Sequence, residues 1–208
     1  MLHAAVFLDK DGTLVDDVPY NVDPALVRFS PGTPEALGLL ASMSYDLFVV
    51  SNQSGVALGY FELDALSYLE SHLKQMFSRC GATLRGAYWC PHHPQGTVEP
   101  FGRECACRKP LPGMVLQAAR EHQIDLSRSW FIGDILNDVE AGNRAGCRTI
   151  LLDNGHESEW LDGPWRTPTV RAPDLLAAAQ IIVAADEAFP PRMHAHVDTF
   201  DLEQNATR

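Results

Sequence analysis

The sequence lacks any apolar run approaching the roughly 20 residues that a membrane-spanning helix needs. Its start also lacks a basic stretch followed by apolar residues, so we expect no signal peptide and a cytoplasmic protein. Basic residues are scarce, because 16 lysines and arginines stand against 27 aspartates and glutamates, for a formal net charge of −11. Nucleic acids and anionic lipids are bound by clustered basic residues, so we expect neither nucleic acid nor membrane among the partners.

The chain is long enough to bury a hydrophobic core, since it has 208 residues, of which 46% are hydrophobic and 21% charged. Hydrophobic periodicity ends after about residue 187. We therefore predict one domain over residues 1–187 and a flexible tail over residues 188–208. We also expect the protein to be a monomer.

Short apolar runs alternate with amphipathic segments along the predicted domain. The runs that predict buried strands are residues 4–9, 45–51, 86–90, 129–134 and 148–153. The segments that predict helices are residues 33–42, 63–77, 112–123, 138–145 and 174–185. This alternation predicts an α/β fold, a doubly wound parallel sheet with helices on both faces. Ligands of such sheets bind at the carboxyl ends of the strands. Four predicted strands end in residues whose side chains can take part in catalysis or ligand binding, namely Asp9, Ser51, Cys90 and Asp134.

Two carboxylates, Asp9 and Asp11, lie where the first predicted strand ends, and Gly12 follows them. Carboxylates at this spacing suit a hard cation together with an anionic ligand, although Asp and Gly also suit an ordinary acidic turn. The whole phrase, FLDKDGTLVDD, resembles the first motif of the haloacid-dehalogenase-like (HAD) hydrolases. That resemblance implies a HAD-like, Rossmannoid fold and hydrolysis of a phosphate monoester.

Three further elements follow in the order that this superfamily has. Ser51 matches the superfamily's phosphoryl-binding Ser or Thr, although by itself it suits a helix cap. Lys109 matches the phosphoryl-binding lysine, although a single lysine is more often a solvated surface charge. Asp134 and Asp138 match the last acidic motif, and each also suits the start of a helix.

The matched residues make up a complete set for phosphatase chemistry. Mg²⁺ would be held by Asp9, Asp134 and the backbone carbonyl of Asp11. Asp9 would attack phosphorus to form an aspartyl phosphate, while Asp11 would protonate the leaving oxygen and later activate water. Ser51 and Lys109 would hold the phosphoryl oxygens, where charge is spread in the transition state.

A loop over residues 90–107 is rich in metal-binding side chains. They are Cys90, His92, Cys105 and Cys107. The pattern C-x-H followed by C-x-C offers three thiolates and an imidazole, the ligand set of a closed structural Zn²⁺ site. Reduced buried thiols beside an incidental histidine would show the same pattern, and His93 competes with His92 as the imidazole.

The loop narrows the resemblance to one branch of the superfamily. Together with the HAD motifs, CPHHPQG, CACRKP and PGM resemble the D-glycero-D-manno-heptose bisphosphate phosphatases, which share this loop with the histidinol-phosphate phosphatases. The resemblance extends over about residues 6–153, favours His92 as the ligand and implies that the zinc is structural. It also implies a phosphorylated sugar or similar phosphate ester as substrate, and a role in carbohydrate metabolism. The residues that it places against the substrate are Asp17, Tyr20, Ser51, Asn52, Gln53, Ser54, Arg108 and Lys109.

Ile135 departs from the pattern of this branch, in which a basic residue commonly follows the aspartate that Asp134 matches. About twenty residues separate Thr13 from the first predicted helix, too few for an inserted cap domain, so we expect an open site. The alternative activity is that of a histidinol-phosphate phosphatase. A DNA 3′-phosphatase would be expected to carry a basic track, and a non-catalytic zinc-stabilised binding module would not need Asp9 and Asp11 together with Lys109.

Overall fold

A sheet of six parallel strands forms the centre of the computed structural model, which describes residues 2–43 and 45–188. The strands are β1 (Ala4–Leu8), β2 (Tyr45–Asn52), β3 (Leu84–Cys90), β4 (Trp130–Gly133), β5 (Arg148–Leu152) and β6 (Val170–Ala172). The α-helices of the described residues are α1 (Thr33–Ala41), α2 (Ala65–Arg79), α3 (Gly113–His122), α4 (Leu136–Ala145) and α5 (Leu175–Ala188). The order across the sheet is β3-β2-β1-β4-β5-β6, which confirms the predicted doubly wound α/β fold.

The central strands are apolar throughout because helices cover both faces of the sheet. In β1, Val6 and Leu8 belong to a buried cluster with residues of α1, α2 and α5. The alternate residues Ala5 and Phe7 belong to a second cluster, with residues of α3 on the opposite face. An alternating polar pattern would therefore bury polar side chains on one face, which explains the uninterrupted apolar run.

The predicted strands and helices are all present, and their ends lie within three residues of the predicted ones. The strand β6 is not predicted, because it has only three residues and its middle residue, Arg171, is exposed. The predicted tail lies outside the described residues except for Ala188, which ends α5. None of the helices in the described part of the chain is both long and apolar enough to span a membrane.

The sheet brings the end of β1 next to the end of β4. These strands pair in parallel, and the strand order reverses between them, which is where doubly wound folds bind ligands. Asp9 directly follows β1, and Asp134 directly follows β4. Between β1 and α1 the described residues contain only isolated bridges, so the expectation of no large cap domain is confirmed.

We predict that Phe7→Ala lowers the free energy of unfolding by about 3–5 kcal/mol, the usual cost of emptying a buried phenylalanine site. Phe7 is fully buried and stacks on Phe48 and Phe131, at centroid distances of 5.6 and 6.4 Å. Chemical denaturation measures the change. Tyr68→Ala is the control, because Tyr68 is 73% exposed and its loss should change stability by less than about 0.5 kcal/mol. Equal effects of the two substitutions would contradict this description of the core.

Candidate active site

Lys109 lies at the centre of the site, although it belongs to a loop and not to the sheet. Its side chain is 3% exposed, and Nζ lies 2.5 Å from Oδ1 of Asp9 and 2.6 Å from Oδ1 of Asp138. Nζ also donates to the carbonyl oxygen of Val50, at 3.1 Å. The side chain of Asn52 bonds both backbone groups of Lys109, at 3.0 and 3.1 Å. The ends of β1 and β2 therefore hold this lysine at both its backbone and its ammonium group.

Three buried carboxylates surround this lysine. Asp9, Asp134 and Asp138 each offer an oxygen within 4.8 Å of the other two. Burial raises the pKa of Asp134, and the charges of Asp9 and Asp138 raise it further. Burial also raises the pKa of Asp138, although Lys109 opposes that shift. One lysine cannot balance three carboxylates, and hard oxygen ligands suit a divalent cation such as Mg²⁺, so the cluster could hold this metal.

The structure therefore brings together two of the three predicted magnesium ligands, Asp9 and Asp134, and adds Asp138 beside them. Asp138 is fully buried and paired with Lys109, so in this fold it does more than begin a helix. The part of Asp11 in metal binding was predicted for its backbone carbonyl, and that part stays a prediction. The side chain of Asp11 makes contacts of its own.

Asp11 forms an ion pair with Lys10, which is fully buried. Its Oδ2 accepts a hydrogen bond from Nε2 of Gln53 at 3.1 Å, and the same amide donates to Oγ of Ser51 at 3.1 Å. Burial raises the pKa of Asp11, an effect that Lys10 opposes and the charge of Asp9 reinforces. A carboxyl group that keeps its proton to higher pH is suited to proton donation.

A segment that the sequence analysis misses, residues 154–157 after β5, closes the other side of the site. Asn154 donates to the carbonyl oxygen of Gly12 at 2.8 Å, and Nδ1 of His156 lies 2.7 Å from Oδ2 of Asp134. Glu157 accepts from the first backbone N–H of α4 at 2.6 Å. His156 is 22 residues away from Asp134 in the chain and belongs to no motif, so no local signal indicates this contact.

Besides Ser51, Asn52, Gln53 and Lys109, whose contacts are given above, the predicted substrate residues fall into two groups. Arg108 is half-buried, and its Nη1 donates to Oγ of Ser54 at 3.1 Å, so these two lie together beside Lys109. Asp17 and Tyr20 are exposed on the loop that follows β1. The ring of Tyr20 packs against the ring of Tyr60, with 4.6 Å between the ring centroids. Contact of any of these residues with substrate stays a prediction.

The four predicted zinc ligands converge in the loop after β3. The Sγ atoms of Cys90, Cys105 and Cys107 lie 3.2–3.5 Å from one another. The Nδ1 atom of His92 lies 3.3 Å from the Sγ atom of Cys107. A tetrahedral zinc with sulfur bonds of about 2.3 Å holds its sulfurs about 3.8 Å apart. The sulfur atoms would therefore need to move apart only slightly for the ion to bind. His93 lies outside this group and accepts a hydrogen bond from the backbone of Gln95.

Two thiols of this cluster have pKa values that are shifted in opposite directions. The hydrogen bond between Cys107 and Cys90 lowers the pKa of Cys107 and raises that of Cys90. A lowered thiol pKa favours the thiolate, which is the form that binds metal. The backbone N–H of Arg108 donates to Sγ of Cys105 at 3.3 Å. The cluster could therefore hold a structural zinc that fixes the backbone directly before Lys109.

The sheet order, the acidic cluster and the buried lysine define a HAD-like hydrolase. In agreement, the sequence model of the HAD-hydrolase-like family matches residues 106–178. The chain is 42% identical over 148 residues to the D-glycero-beta-D-manno-heptose-1,7-bisphosphate 7-phosphatase of Photorhabdus laumondii, covering 71% of this chain and 79% of that protein. It is 40% identical over 148 residues to the Escherichia coli K12 protein of that name, covering 71% and 78%. The chain therefore belongs to this family of HAD-like phosphatases.

A solved structure agrees with the assignment. The D,D-heptose 1,7-bisphosphate phosphatase from B. bronchiseptica, solved in complex with magnesium and phosphate, is 29% identical to this chain. It superposes with a TM-score of 0.70, covering 88% of this chain and 99% of that one.

We predict about one zinc per chain in protein purified without chelator, because the cluster supplies four ligands. Cys107→Ser should lower both the zinc content and the melting temperature, since it removes one of these ligands. Metal analysis and thermal unfolding measure the two effects. Cys80→Ser is the matched control, because Cys80 directly follows α2, outside the cluster, and its loss should leave the zinc content unchanged. Wild-type protein without zinc would contradict the prediction.

Proposed function

We propose that this protein is a Mg²⁺-dependent phosphatase that removes the 7-phosphate of D-glycero-D-manno-heptose 1,7-bisphosphate through an aspartyl-phosphate intermediate. The observation that carries the proposal is the buried group of Asp9, Asp134, Asp138 and Lys109 at the carboxyl edge of the sheet. Arg108 lies next to this group and provides a second cation for a substrate with two phosphates. The choice of a heptose as the sugar rests on the names of the related phosphatases.

The first step uses Asp9 as the nucleophile. Its carboxylate attacks phosphorus, forming an acyl-phosphate bond while the bond from phosphorus to the leaving oxygen breaks. The contact of Lys109 with Oδ1 of Asp9 orients the carboxylate and places a positive charge beside the transferred group. Charge spreads over the phosphoryl oxygens in the transition state, so this cation stabilises it more than the ground state. A bound Mg²⁺ supplies further neutralisation of the phosphoryl charge.

Asp11 moves the protons in both steps. In the first step its carboxyl group donates a proton to the leaving oxygen of the sugar, and in the second it takes a proton from the attacking water. Gln53 and Lys10 hold the two oxygens of this side chain in place. The second displacement then releases inorganic phosphate and restores the Asp9 carboxylate.

Recognition of the remaining sugar phosphate falls to Arg108. Ser54 holds the guanidinium group from the loop after β2, and Cys105 holds the backbone N–H. Ile135, at the start of α4, adds no charge, so Arg108 bears more of this recognition. Its place beside Lys109 lets one loop contact both phosphates of the substrate. We also propose that the protein acts as a cytoplasmic monomer with no nucleic-acid partner, the last of these consistent with its net charge of −11.

The substrate is tested by measuring kcat/KM for heptose bisphosphate and for histidinol phosphate, side by side and with Mg²⁺. We expect the heptose bisphosphate to be preferred. A preference for histidinol phosphate would overturn the proposed substrate and leave the phosphatase chemistry standing. No release of phosphate from any ester with Mg²⁺ would overturn the activity itself.

We predict that Asp9→Asn lowers turnover by about three orders of magnitude or more, since the substitution removes the nucleophile and keeps the shape of the side chain. Asp11→Asn should also lower turnover, but it should let the phosphorylated enzyme accumulate, because the second step lacks its base. Steady-state kinetics and intact-protein mass spectrometry measure these effects. Near-normal turnover of purified Asp9→Asn would disprove the aspartyl-phosphate mechanism.

We predict that substitutions of Lys109 and Arg108 change different kinetic parameters. Lys109→Ala should depress kcat and kcat/KM together, because this charge acts on the transferred group. Arg108→Ala should chiefly raise KM, and more for heptose bisphosphate than for a minimal phosphate ester without a second phosphate. Thermal unfolding of both variants checks that they are folded. Equal losses on both substrates for Arg108→Ala would refute its role in recognition.

A further inference from the structure

His156 contacts a predicted magnesium ligand from a part of the chain to which the catalytic scheme assigns no role. Its Nδ1 lies 2.7 Å from Oδ2 of Asp134, and the side chain is 40% exposed, whereas Asp134 is almost fully buried. The imidazole therefore reaches the carboxylate from the solvent side. The other oxygen of Asp134 has a longer contact, 3.4 Å, with Oγ1 of Thr13.

The turn after Asp9 leaves room for this pair of side chains. A Cβ atom on Gly12 would lie 2.1 Å from Oδ2 of Asp134 and 2.4 Å from Nδ1 of His156. No heavy atoms approach so closely without displacement, so any other residue at position 12 would push the two groups apart. Gly12 also has a φ of +75°, which a side chain disfavours. The absence of a side chain at this position thus preserves the contact.

Two further contacts hold His156 in place. Asn154 bonds the carbonyl oxygen of Gly12, and Glu157 accepts from the backbone N–H of Leu136, at 2.8 and 2.6 Å. His156 therefore lies between two attachment points, one at Gly12 in the loop after β1 and one at the start of α4. A ring held in this way can fix the orientation of the carboxylate that it contacts.

We propose that His156 is a positioning residue, which holds the Asp134 carboxylate in the orientation that binds the divalent metal and thereby sets the affinity for it. The proposal rests on the assignment of Asp134 as a metal ligand in the proposed function. Groups that hydrogen-bond to a metal ligand commonly change metal affinity by about 10- to 100-fold when they are removed.

A matched pair of substitutions tests the role of the imidazole nitrogen. His156→Asn places an amide nitrogen close to the position of Nδ1, whereas His156→Leu places a methyl group there. Binding of Mn²⁺ to the full chain without substrate is measured from the electron paramagnetic resonance signal of the free ion. We expect His156→Leu to weaken Mn²⁺ binding about 10- to 100-fold. We expect His156→Asn to keep most of the wild-type affinity for Mn²⁺. An unchanged dissociation constant in His156→Leu would overturn the proposal.

Two further variants separate the imidazole from the attachment of its segment. Asn154→Ala removes one attachment and leaves the Asp134 contact intact, so it should weaken Mn²⁺ binding less than His156→Leu does. Equal losses in the two variants would assign the effect to the segment and overturn the role of the imidazole. His72→Ala, on α2, is the control that should leave Mn²⁺ binding unchanged.

Kinetics supply a second measurement and distinguish this proposal from the proposed function. In His156→Leu the Mg²⁺ concentration that gives half the maximal rate should rise, while kcat at saturating Mg²⁺ should stay close to wild type. A lower kcat with unchanged Mg²⁺ dependence would contradict a positioning role. Wild-type protein that binds Mn²⁺ but releases no phosphate would refute the proposed function and leave the His156 effect measurable.

Discussion

The repulsion among three carboxylates buried around one lysine is the constraint on which the rest of the site depends. Asp9 and Asp134 follow neighbouring strands, and Asp138 lies in the first turn of α4, so the fold brings their negative charges together. Lys109 balances one of these charges and leaves an excess of negative charge, which suits a divalent cation. The same charge balance lets an acidic protein accept a substrate that is itself an anion.

The positive charge that balances these carboxylates belongs to Lys109, which lies in a loop. Contacts from two sides hold this loop in place. The zinc cluster lies directly before Arg108 and Lys109, and Cys105 bonds the backbone of Arg108. Asn52, at the end of β2, fixes the backbone of Lys109 from the other side. Zinc in the cysteine and histidine cluster would fix the geometry of this loop from one side, as the end of β2 does from the other, and would connect the cluster to Lys109.

Much of this arrangement was predictable because its causes are local. Strands buried on both faces are apolar throughout, and this pattern placed the end of β1 within one residue and that of β4 within one. The C-x-H and C-x-C spacing predicted a cluster of three thiols with an imidazole, and the family resemblance favoured His92 over His93; these four side chains do lie together. The short strand β6 was missed, since three residues with an exposed centre carry no hydrophobic pattern.

By itself, then, the sequence determined the alternation of strands and helices, the residues at the strand ends and the candidate residues for two metal-binding groups. Only the tertiary structure decided which of these residues meet. The pairing of β1 with β4 places Asp9 beside Asp134, and the packing of residues 154–157 brings His156 to the same carboxylate. Contacts of this kind join segments that are distant in the chain. They follow from strand order and loop packing, which a local pattern of side chains does not encode.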